Sequence, residues 1–243
     1  MKQTYLEIIS NKPLTESVME MKLKGDVSTL KAGQFVNIKL EGLYLRRPIS
    51  VCNVCGSELT IIYKIVGKGT EQMSKMQGGT LDVLTELGNG YDLSLSGDTP
   101  LLIGGGVGVP PMYYLAKLLT SQGKKVSVIL GFNTKSEVFY ENEFKALSAN
   151  VIVTTVDGSY GVKGFVTTAM KDIDYSYFYT CGPEPMLKAV YKESKTLGEF
   201  SFEERMGCGF GACMGCSCKT IYGNKRICKE GPVLKKEELL WQI

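Results

Sequence analysis

The first hundred residues alternate short apolar runs with glycine and proline turns, a pattern typical of β-strands. The spacing of these runs predicts a small antiparallel barrel. The six predicted strands cover Tyr5–Ile9, Val18–Leu23, Phe35–Leu40, Ile49–Val54, Leu59–Val66 and Leu93–Ser96. Between the last two runs, the segment from Gly67 to Met76 predicts a turn that leads into one short helix.

From Pro100 onwards, strand-like runs alternate with segments of helical periodicity. Predicted strands cover Leu101–Ile103, Val126–Leu130, Val151–Thr155 and Tyr177–Thr180. Predicted helices cover Pro111–Gln122, Ser136–Leu147, Lys163–Met170 and Glu184–Leu197. This alternation indicates a parallel, doubly wound α/β sheet.

The remainder, from about Phe200, shows little apolar periodicity and carries five of the eight cysteines. We expect a loop-rich module whose structure depends on the metal group that these cysteines bind. The chain is therefore predicted to be a multidomain α+β protein. Its three predicted parts are an antiparallel β-barrel domain over 1–98, an α/β parallel-sheet domain over 99–199 and a small cysteine module over 200–243.

Composition narrows the possible chemistry. The 243 residues include 28 Lys and Arg, 25 Asp and Glu, and no His. A net charge of +3 gives no reason to expect nucleic acid as a partner. The absence of His excludes Ser-His-Asp and Cys-His catalysis and a Rieske cluster, and no catalytic residue is predicted. No run predicts a membrane span or a signal peptide, so we expect a cytoplasmic protein whose cysteines serve metal or redox chemistry.

Four cysteines have a spacing that indicates a [2Fe–2S] cluster. Cys208, Cys213 and Cys216 form C-x4-C-x2-C, and Cys228 follows after eleven residues, which is the plant-type ferredoxin spacing. The interleaved glycines allow the backbone to approach the cluster closely. A structural zinc held by four thiolates is the alternative, although zinc usually shows two C-x2-C pairs. Cys218 is interpreted as a bystander, and its substitution for Cys216 stays open.

A second motif suits a flavin with a diphosphate. Arg47, Pro48 and Ser50 open a predicted barrel strand, and Gly69 and Thr70 precede the short helix. An arginine can fork onto a phosphate, and backbone N–H groups at a turn can bind a pyrophosphate. The string is weak by itself, because Arg-Pro-x-Ser arises by chance and the neighbouring arginines could be a solvated pair.

A third set of residues predicts a nucleotide site in the α/β domain. A glycine-rich loop follows the first strand of this domain and opens a helix, although it lacks the G-x-G-x-x-G fingerprint. Similar loops follow two later strands, and ligands of open α/β sheets bind at these carboxyl ends. The alternative is a tight turn without a ligand. The candidate residues are Gly105, Gly106, Gly108, Asp157, Cys181, Gly182 and Pro183.

A barrel with Arg-Pro-x-Ser, followed along the chain by an α/β domain with the glycine-rich loop and the loop Cys181-Gly182-Pro183, resembles the ferredoxin–NADP reductase superfamily. The cysteine motif, followed by Glu230-Gly231-Pro232-Val233, resembles in particular the electron-transfer subunits of NAD-dependent dihydroorotate dehydrogenase. The resemblance covers essentially the whole chain. It implies FAD contacts at Arg47, Pro48, Ile49, Ser50, Ile62, Tyr63, Lys64, Gly69 and Thr70, and cluster ligands at Cys208, Cys213, Cys216 and Cys228.

The resemblance also implies a function. Electrons would pass between NAD and the FMN of a catalytic partner subunit, through FAD and a [2Fe–2S] cluster, in pyrimidine biosynthesis, and the complex would be a heterotetramer. Two alternatives stay open: an NAD(P)H reductase that serves another acceptor, and a zinc-holding adaptor without a flavin. The preference for NAD over NADP stays open as well, because Lys135 follows a predicted strand and could meet a 2′-phosphate.

Overall fold

A computed structural model describes residues 1–241; Gln242 and Ile243, the end of the third predicted part, lie outside the described residues. Six antiparallel strands close into a barrel in the order β1-β2-β5-β4-β3-β6. They are β1 (Lys2–Pro13), β2 (Val18–Lys24), β3 (Phe35–Ile38), β4 (Arg47–Cys55), β5 (Glu58–Lys64) and β6 (Thr80–Leu87). The predicted barrel is confirmed. The short helix predicted within Gly67–Met76 is α1 (Lys68–Ser74), which connects β5 to β6.

Alternating apolar side chains fill the barrel because successive residues of a strand face opposite sides. Leu6, Met21, Ile61 and Val83, from four different strands, are completely buried together in its interior. Closure also leaves no open sheet edge, so the backbone groups of the barrel are paired by neighbouring strands.

The sixth barrel strand is β6 rather than the predicted Leu93–Ser96. In β6 every second residue is buried, although the buried Thr85 interrupts the apolar run and hid the alternation. Leu93–Leu95 instead forms a 3₁₀ turn, because the Asp92 carboxylate accepts hydrogen bonds from the backbone N–H and the hydroxyl of Ser94 at 3.0 and 2.6 Å. Such a side-chain cap favours a turn over a strand.

A second sheet has the order β10-β9-β8-β7-β11-β12-β15. Its strands are β7 (Leu101–Gly105), β8 (Ser127–Phe132), β9 (Asn150–Thr155), β10 (Val162–Lys163), β11 (Phe178–Cys181), β12 (Gly198–Ser201) and β15 (Val233–Lys235). All neighbours are parallel except β12 and β15. Helices α2 (Val109–Ser121), α3 (Glu141–Ala146), α4 (Val166–Met170) and α5 (Glu184–Glu193) connect its parallel strands. The predicted parallel α/β sheet is confirmed.

Three helices are shorter than the sequence pattern predicts. The segment Ser136–Leu147 is divided, because Tyr140 adopts a left-handed backbone conformation that places it and Phe139 in the core. The helix predicted from Lys163 begins at Val166, after Gly164 takes a positive φ of 121°. The last helix ends at Glu193, where the backbone turns extended before β12.

The cysteine-bearing segment packs against both domains. Its hairpin consists of β13 (Ser217–Thr220) and β14 (Gly223–Arg226), and β15 then joins the large sheet. Trp241 packs against Tyr191, Phe200 and Phe202, with ring centroids 5.3–5.8 Å apart. The end of the described chain is therefore part of the core.

Candidate functional site

The larger of two adjoining cavities lies at the carboxyl ends of the parallel strands. It has a volume of about 600 Å³. The chain leaves β7 toward β8 on one side and later returns to β11 on the other, so the strand order reverses between β7 and β11. A crevice at such a reversal is the usual ligand site of open α/β sheets.

The glycine loop forms the floor of this cavity. Gly105, Gly106 and Gly108 line it, immediately before α2. Gly106 has a positive φ of 53° and no neighbour within 4 Å of the position that a Cβ would take, so its backbone faces open space. Pro110 and Pro111, in the first turn of α2, have no N–H, and the Val109 N–H donates to the Gly106 carbonyl oxygen, so the start of this helix relies on the N–H groups of the glycine loop to bind an anion.

The loop after β11 meets the glycine loop. A Cβ at Gly108 would lie 2.2 Å from the carbonyl oxygen of Cys181, so only glycine allows the two loops to touch. Gly182 and Pro183 line the larger cavity, whereas Cys181 lines the smaller one. Asp157 lines neither cavity, because its carboxylate caps Ser159 in a surface turn at 2.9 and 2.7 Å.

The smaller cavity, of about 340 Å³, lies between the barrel and the sheet. It brings together eight of the nine residues predicted to contact a flavin, namely Arg47, Pro48, Ile49, Ser50, Ile62, Tyr63, Lys64 and Thr70. β4 and β5 pair as neighbours in the barrel, which places their two groups of residues side by side. The ninth residue, Gly69, lies directly beneath Arg47.

The two adjacent arginines have different partners. Arg46 forms an ion pair with Asp82 at 2.9 Å and donates a further hydrogen bond to the Asp82 carbonyl oxygen at 3.0 Å. Arg47 pairs with no carboxylate in residues 1–241 and lines the smaller cavity. A cavity-lining guanidinium without a carboxylate partner fits the phosphate of a bound dinucleotide.

Gly69 makes room for that guanidinium. A Cβ at Gly69 would lie 2.1 Å from the Nε atom of Arg47. Thr70 fixes the turn beside it, because its hydroxyl oxygen accepts hydrogen bonds from the N–H groups of Val66 and Gly67 at 2.9 and 3.3 Å. The arginine, glycine and threonine of the sequence motif therefore form one local arrangement.

Tyr63 is anchored rather than free. Its hydroxyl donates to the Asn11 side-chain oxygen at 3.0 Å, and the Asn11 amide donates to the carbonyls of Met73 and Met76. Burial raises the pKa of Tyr63 to about 12 despite the Asn11 hydrogen bond, so the phenol stays protonated at neutral pH. Burial likewise raises the pKa of the Cys181 thiol well above its ordinary value, which argues against a nucleophilic role.

The two cavities share part of their walls. Lys64, Val107 and Glu203 line both of them. Glu203 follows the carboxyl end of β12. Solvent reaches its side chain through the cavity, but the surrounding protein atoms still raise the pKa of its carboxyl. A ligand in the larger cavity would therefore contact a ligand in the smaller one at this junction.

The predicted cluster ligands form two thiol pairs. The Cys208 sulfur accepts a hydrogen bond from the N–H of Cys213 at 3.5 Å, and the Cys216 sulfur accepts one from the N–H of Cys228 at 3.4 Å. Cys218 lies on the hairpin, where its thiol faces the Lys219 carbonyl oxygen instead. In residues 1–241, no three His, Cys, Asp or Glu side chains converge on one point suited to a single metal ion.

This arrangement fits two irons better than one zinc. A tetrahedral zinc requires four ligands around one point, whereas each iron of a [2Fe–2S] cluster takes two thiolates. Burial opposes ionisation of Cys208, but hydrogen bonds from the N–H groups of Cys213, Phe210 and Ala212 outweigh it and lower the pKa of its thiol to about 6. The lowered pKa favours the thiolate that binds iron at Cys208, whereas burial raises the pKa of the Cys228 thiol to about 12.

The cysteine loop adjoins the flavin cavity. Met206 lines that cavity, and Cys208 follows two residues later. The Asn37 amide, on β3, donates to the Cys208 carbonyl oxygen at 3.3 Å. A Cβ at Gly209 would lie 2.3 Å from the same amide, so the loop lies directly on the barrel.

Two family models match this chain. One describes an oxidoreductase NAD-binding domain and matches residues 102–192. The other describes the iron–sulfur cluster binding domain of dihydroorotate dehydrogenase B and matches residues 203–240.

Curated relatives match almost from end to end. An electron transfer subunit of dihydroorotate dehydrogenase B (NAD(+)) from Bacillus pumilus (strain SAFR-032) is 47% identical over 98% of both chains. One from Fusobacterium nucleatum is 45% identical over 92% of this chain and 93% of its own. The chain belongs to this family.

Solved structures of related reductases share the fold of this chain. A structure described as an NADH-dependent reduced ferredoxin–NADP oxidoreductase, studied for flavin-based electron bifurcation, is 31% identical, with a TM-score of 0.88 over 97% of this chain and 90% of its own. A ferredoxin–NADP⁺ reductase from Neisseria gonorrhoeae, 17% identical with a TM-score of 0.69 over 79% of this chain and 90% of its own, shares the fold. The predicted superfamily is confirmed, and the zinc-holding adaptor is set aside.

Sequence motifs missed part of the site. Phe202, Glu203 and Met206 line the flavin cavity, and Glu137 lines the larger one. The segment after β12 could have been found, because the carboxyl end of a further parallel strand opens into the same crevice. No helix in the described chain is long and apolar enough to cross a membrane.

Proposed function

We propose that this chain relays electrons between NAD(H) and a catalytic partner subunit that carries FMN and converts dihydroorotate to orotate. The relay would serve pyrimidine biosynthesis, and the complex would be a heterotetramer of two copies of each chain in the cytoplasm. One observation carries the proposal: the nucleotide cavity, the flavin cavity and the cysteine loop adjoin one another in that order.

The larger cavity is the proposed NAD(H) site. The backbone of Gly105, Gly106 and Gly108 would bind the pyrophosphate, and Gly182 and Pro183 would form the opposite wall. Cys181 lies in the flavin cavity and would lie beside the nicotinamide as a small, neutral side chain. Asp157 is the one predicted NAD residue that the proposal leaves outside the site.

The smaller cavity and the loop beyond it are the proposed flavin and cluster sites. Arg47 would bind the FAD phosphates above Gly69, while β4 and β5 hold the remaining contacts. The pairs Cys208 with Cys213 and Cys216 with Cys228 would each hold one iron. When bound, FAD exchanges a hydride with NAD(H) and single electrons with a [2Fe–2S] cluster.

The protein contributes placement rather than acid–base catalysis. Tyr63 and Cys181 both stay protonated at neutral pH, and the sequence contains no His. The shared wall of Lys64, Val107 and Glu203 would bring the two ring systems together. Holding reactants in contact is itself a large part of such a rate enhancement.

The catalytic partner would dock beside the cysteine loop, where electrons leave the chain. Phe210 and Met214, within this loop, are 42% and 53% exposed, and Ile221 and Tyr222 at the tip of the hairpin are 48% and 73% exposed. Exposed large apolar side chains of this kind are typical of a protein interface.

An anaerobic NADH titration of the purified chain tests the relay. Bleaching of the flavin absorbance, together with a rhombic [2Fe–2S]⁺ signal in low-temperature EPR, is the expected result. Adding the catalytic subunit should then allow dihydroorotate to reduce NAD⁺. Flavin bleaching without a cluster signal in protein of full iron content would contradict the proposed relay.

A second candidate is a reductase that serves another acceptor. The likeness to the NADH-dependent reduced ferredoxin–NADP oxidoreductase favours it, because that structure covers almost the whole of this chain. Under this alternative, the chain would reduce ferredoxin, and the dihydroorotate-oxidising subunit would restore no activity. The 47% identity to an electron transfer subunit favours the first candidate.

A further inference from the structure

The rim of the larger cavity carries an acidic side chain that no sequence motif assigned. Glu137 ends a 3₁₀ turn just after β8 and lines the cavity together with Asn133. Its Oε2 atom accepts two hydrogen bonds from Asn133, one from the backbone N–H and one from the side-chain amide, both at 3.0 Å. These bonds hold the carboxylate in place.

The second carboxylate oxygen is available to a ligand. Oε1 of Glu137 accepts no hydrogen bond from the described residues, and the side chain is only half-buried. Because β8 lies next to β7 and away from β11, this rim is on the side of the glycine loop opposite the flavin cavity. A dinucleotide with its nicotinamide toward the flavin would place its adenosine ribose here.

Lys135, the residue that could have met a 2′-phosphate, points elsewhere. Its Nζ atom lies 5.7 Å from the centroid of the Tyr160 ring, and its backbone N–H donates to the Ser159 hydroxyl at 2.8 Å. It lines neither cavity. Among residues 1–241, Lys64 is the one cation that lines the larger cavity, and it lies at the flavin junction.

We propose that Glu137 determines the choice of NAD(H) over NADP(H), by accepting a hydrogen bond from the 2′-hydroxyl of the adenosine ribose. The same carboxylate repels a 2′-phosphate, for which this rim offers no compensating cation. Asn133 is the positioning residue that keeps the carboxylate at the rim. This inference rests on the proposed function, since it assumes that the larger cavity binds a nicotinamide dinucleotide.

The position of Glu137 in the sequence explains why no sequence motif identified it. In standard dinucleotide folds the acidic residue that binds the ribose lies near the end of the second strand. Here the residue directly after that strand is Asn133, and the acid follows four residues later on a turn. Only the folded turn brings the carboxylate back to the end of the strand.

The test compares Glu137→Gln with the wild-type chain in flavin reduction by NADH and by NADPH. Gln keeps the shape and can still accept from Asn133, but it removes the charge. We expect the NADH-to-NADPH ratio of kcat/KM to fall roughly tenfold to a hundredfold, through KM rather than kcat. Glu143→Gln, on the exposed surface of α3, is the matched control and should leave the ratio unchanged.

Equilibrium titration with ADP-ribose and with 2′-phospho-ADP-ribose removes hydride transfer from the comparison. Glu137→Gln should weaken the first ligand and strengthen the second, and Glu137→Lys should reverse the preference. Equal affinities in the wild-type chain, or a preference that both variants retain, would overturn the assignment. If neither NADH nor NADPH reduces the wild-type flavin, the proposed function would instead be refuted, whatever the binding preference.

Discussion

The buried carboxyl of Glu199 should make the stability of this protein depend on pH. Glu199 lies on β12 with 3% of its surface exposed, and its Oε2 atom accepts a hydrogen bond from the Asp92 N–H at 3.0 Å. Burial is the main cause of the raised pKa of this carboxyl, which is about 7 in the folded chain; the carboxylates of Asp92 and Glu237 add to the shift, while the Asp92 N–H and Lys235 partly oppose it.

The size and the sign follow from proton linkage. The pKa is about 7 in the folded chain and 4.5 ordinarily, so the folded state binds the proton more tightly. Its contribution is therefore fully present below pH 4.5 and is lost as the pH rises through 7. At 1.36 kcal/mol per pH unit the full loss is about 3 kcal/mol, of which about 2–3 kcal/mol falls between pH 5 and pH 8.

Glu199→Gln isolates this contribution, because Gln keeps an acceptor for the Asp92 N–H without a titrating group. Relative to wild type, the variant should gain about 5–10 °C in melting temperature when the pH is raised from 5 to 8. Differential scanning calorimetry of both proteins measures this double difference, with the exposed Glu193→Gln as control. A constant difference between wild type and Glu199→Gln across this range would refute the reasoning.

Three further predictions concern the cluster, the flavin site and the hydrogen bonds that join β15 to Asn89. Cys213→Ser should abolish the EPR signal of the cluster while FAD stays bound, whereas Cys218→Ser should keep a normal iron content. Loss of iron from Cys218→Ser together with a normal cluster in Cys213→Ser would overturn the ligand assignment. Gly69→Ala would place a methyl group 2.1 Å from the Arg47 Nε atom, so FAD should dissociate about 10–100-fold more readily in equilibrium dialysis. Asn89→Ala removes hydrogen bonds of 2.7 and 3.1 Å to the backbone of β15, so denaturant unfolding should show a loss of about 1–3 kcal/mol, and an unchanged midpoint would contradict this role.

The cluster ligands and the glycine loops could be predicted from the sequence, because each pattern lies within a short stretch of chain. The spacing C-x4-C-x2-C is constrained by the reach of one loop, and its three cysteines together with Cys228 form two thiol pairs. The glycines before α2 indicate a close backbone approach, and Gly108 indeed touches the loop that begins at Cys181. Strands with regular alternation were predicted for the same reason.

Strand β6 could not be predicted from the sequence, because its alternation of apolar and polar residues is interrupted. β6 places the polar Thr85 inside the barrel, so its period of two is visible only when its neighbours β1 and β3 are known. The motif assigned Arg47 to the flavin, but the sequence could not exclude that Arg46 and Arg47 form a solvated pair. The fold separates them, because Asp82 on β6 pairs with the first and leaves the second without a carboxylate partner.

The sequence by itself determined the three kinds of chemistry and their order along the chain, since the central part of each motif is a short stretch of chain: Arg-Pro-x-Ser, the glycine loop and C-x4-C-x2-C. The tertiary structure alone decided which residues share a cavity. Asp157 and Glu137 follow neighbouring strands and look equally suited to a ribose, yet one caps a surface turn and the other lines the crevice. Such choices depend on strand order and turn geometry, which join residues distant in sequence and are fixed only when the whole sheet forms.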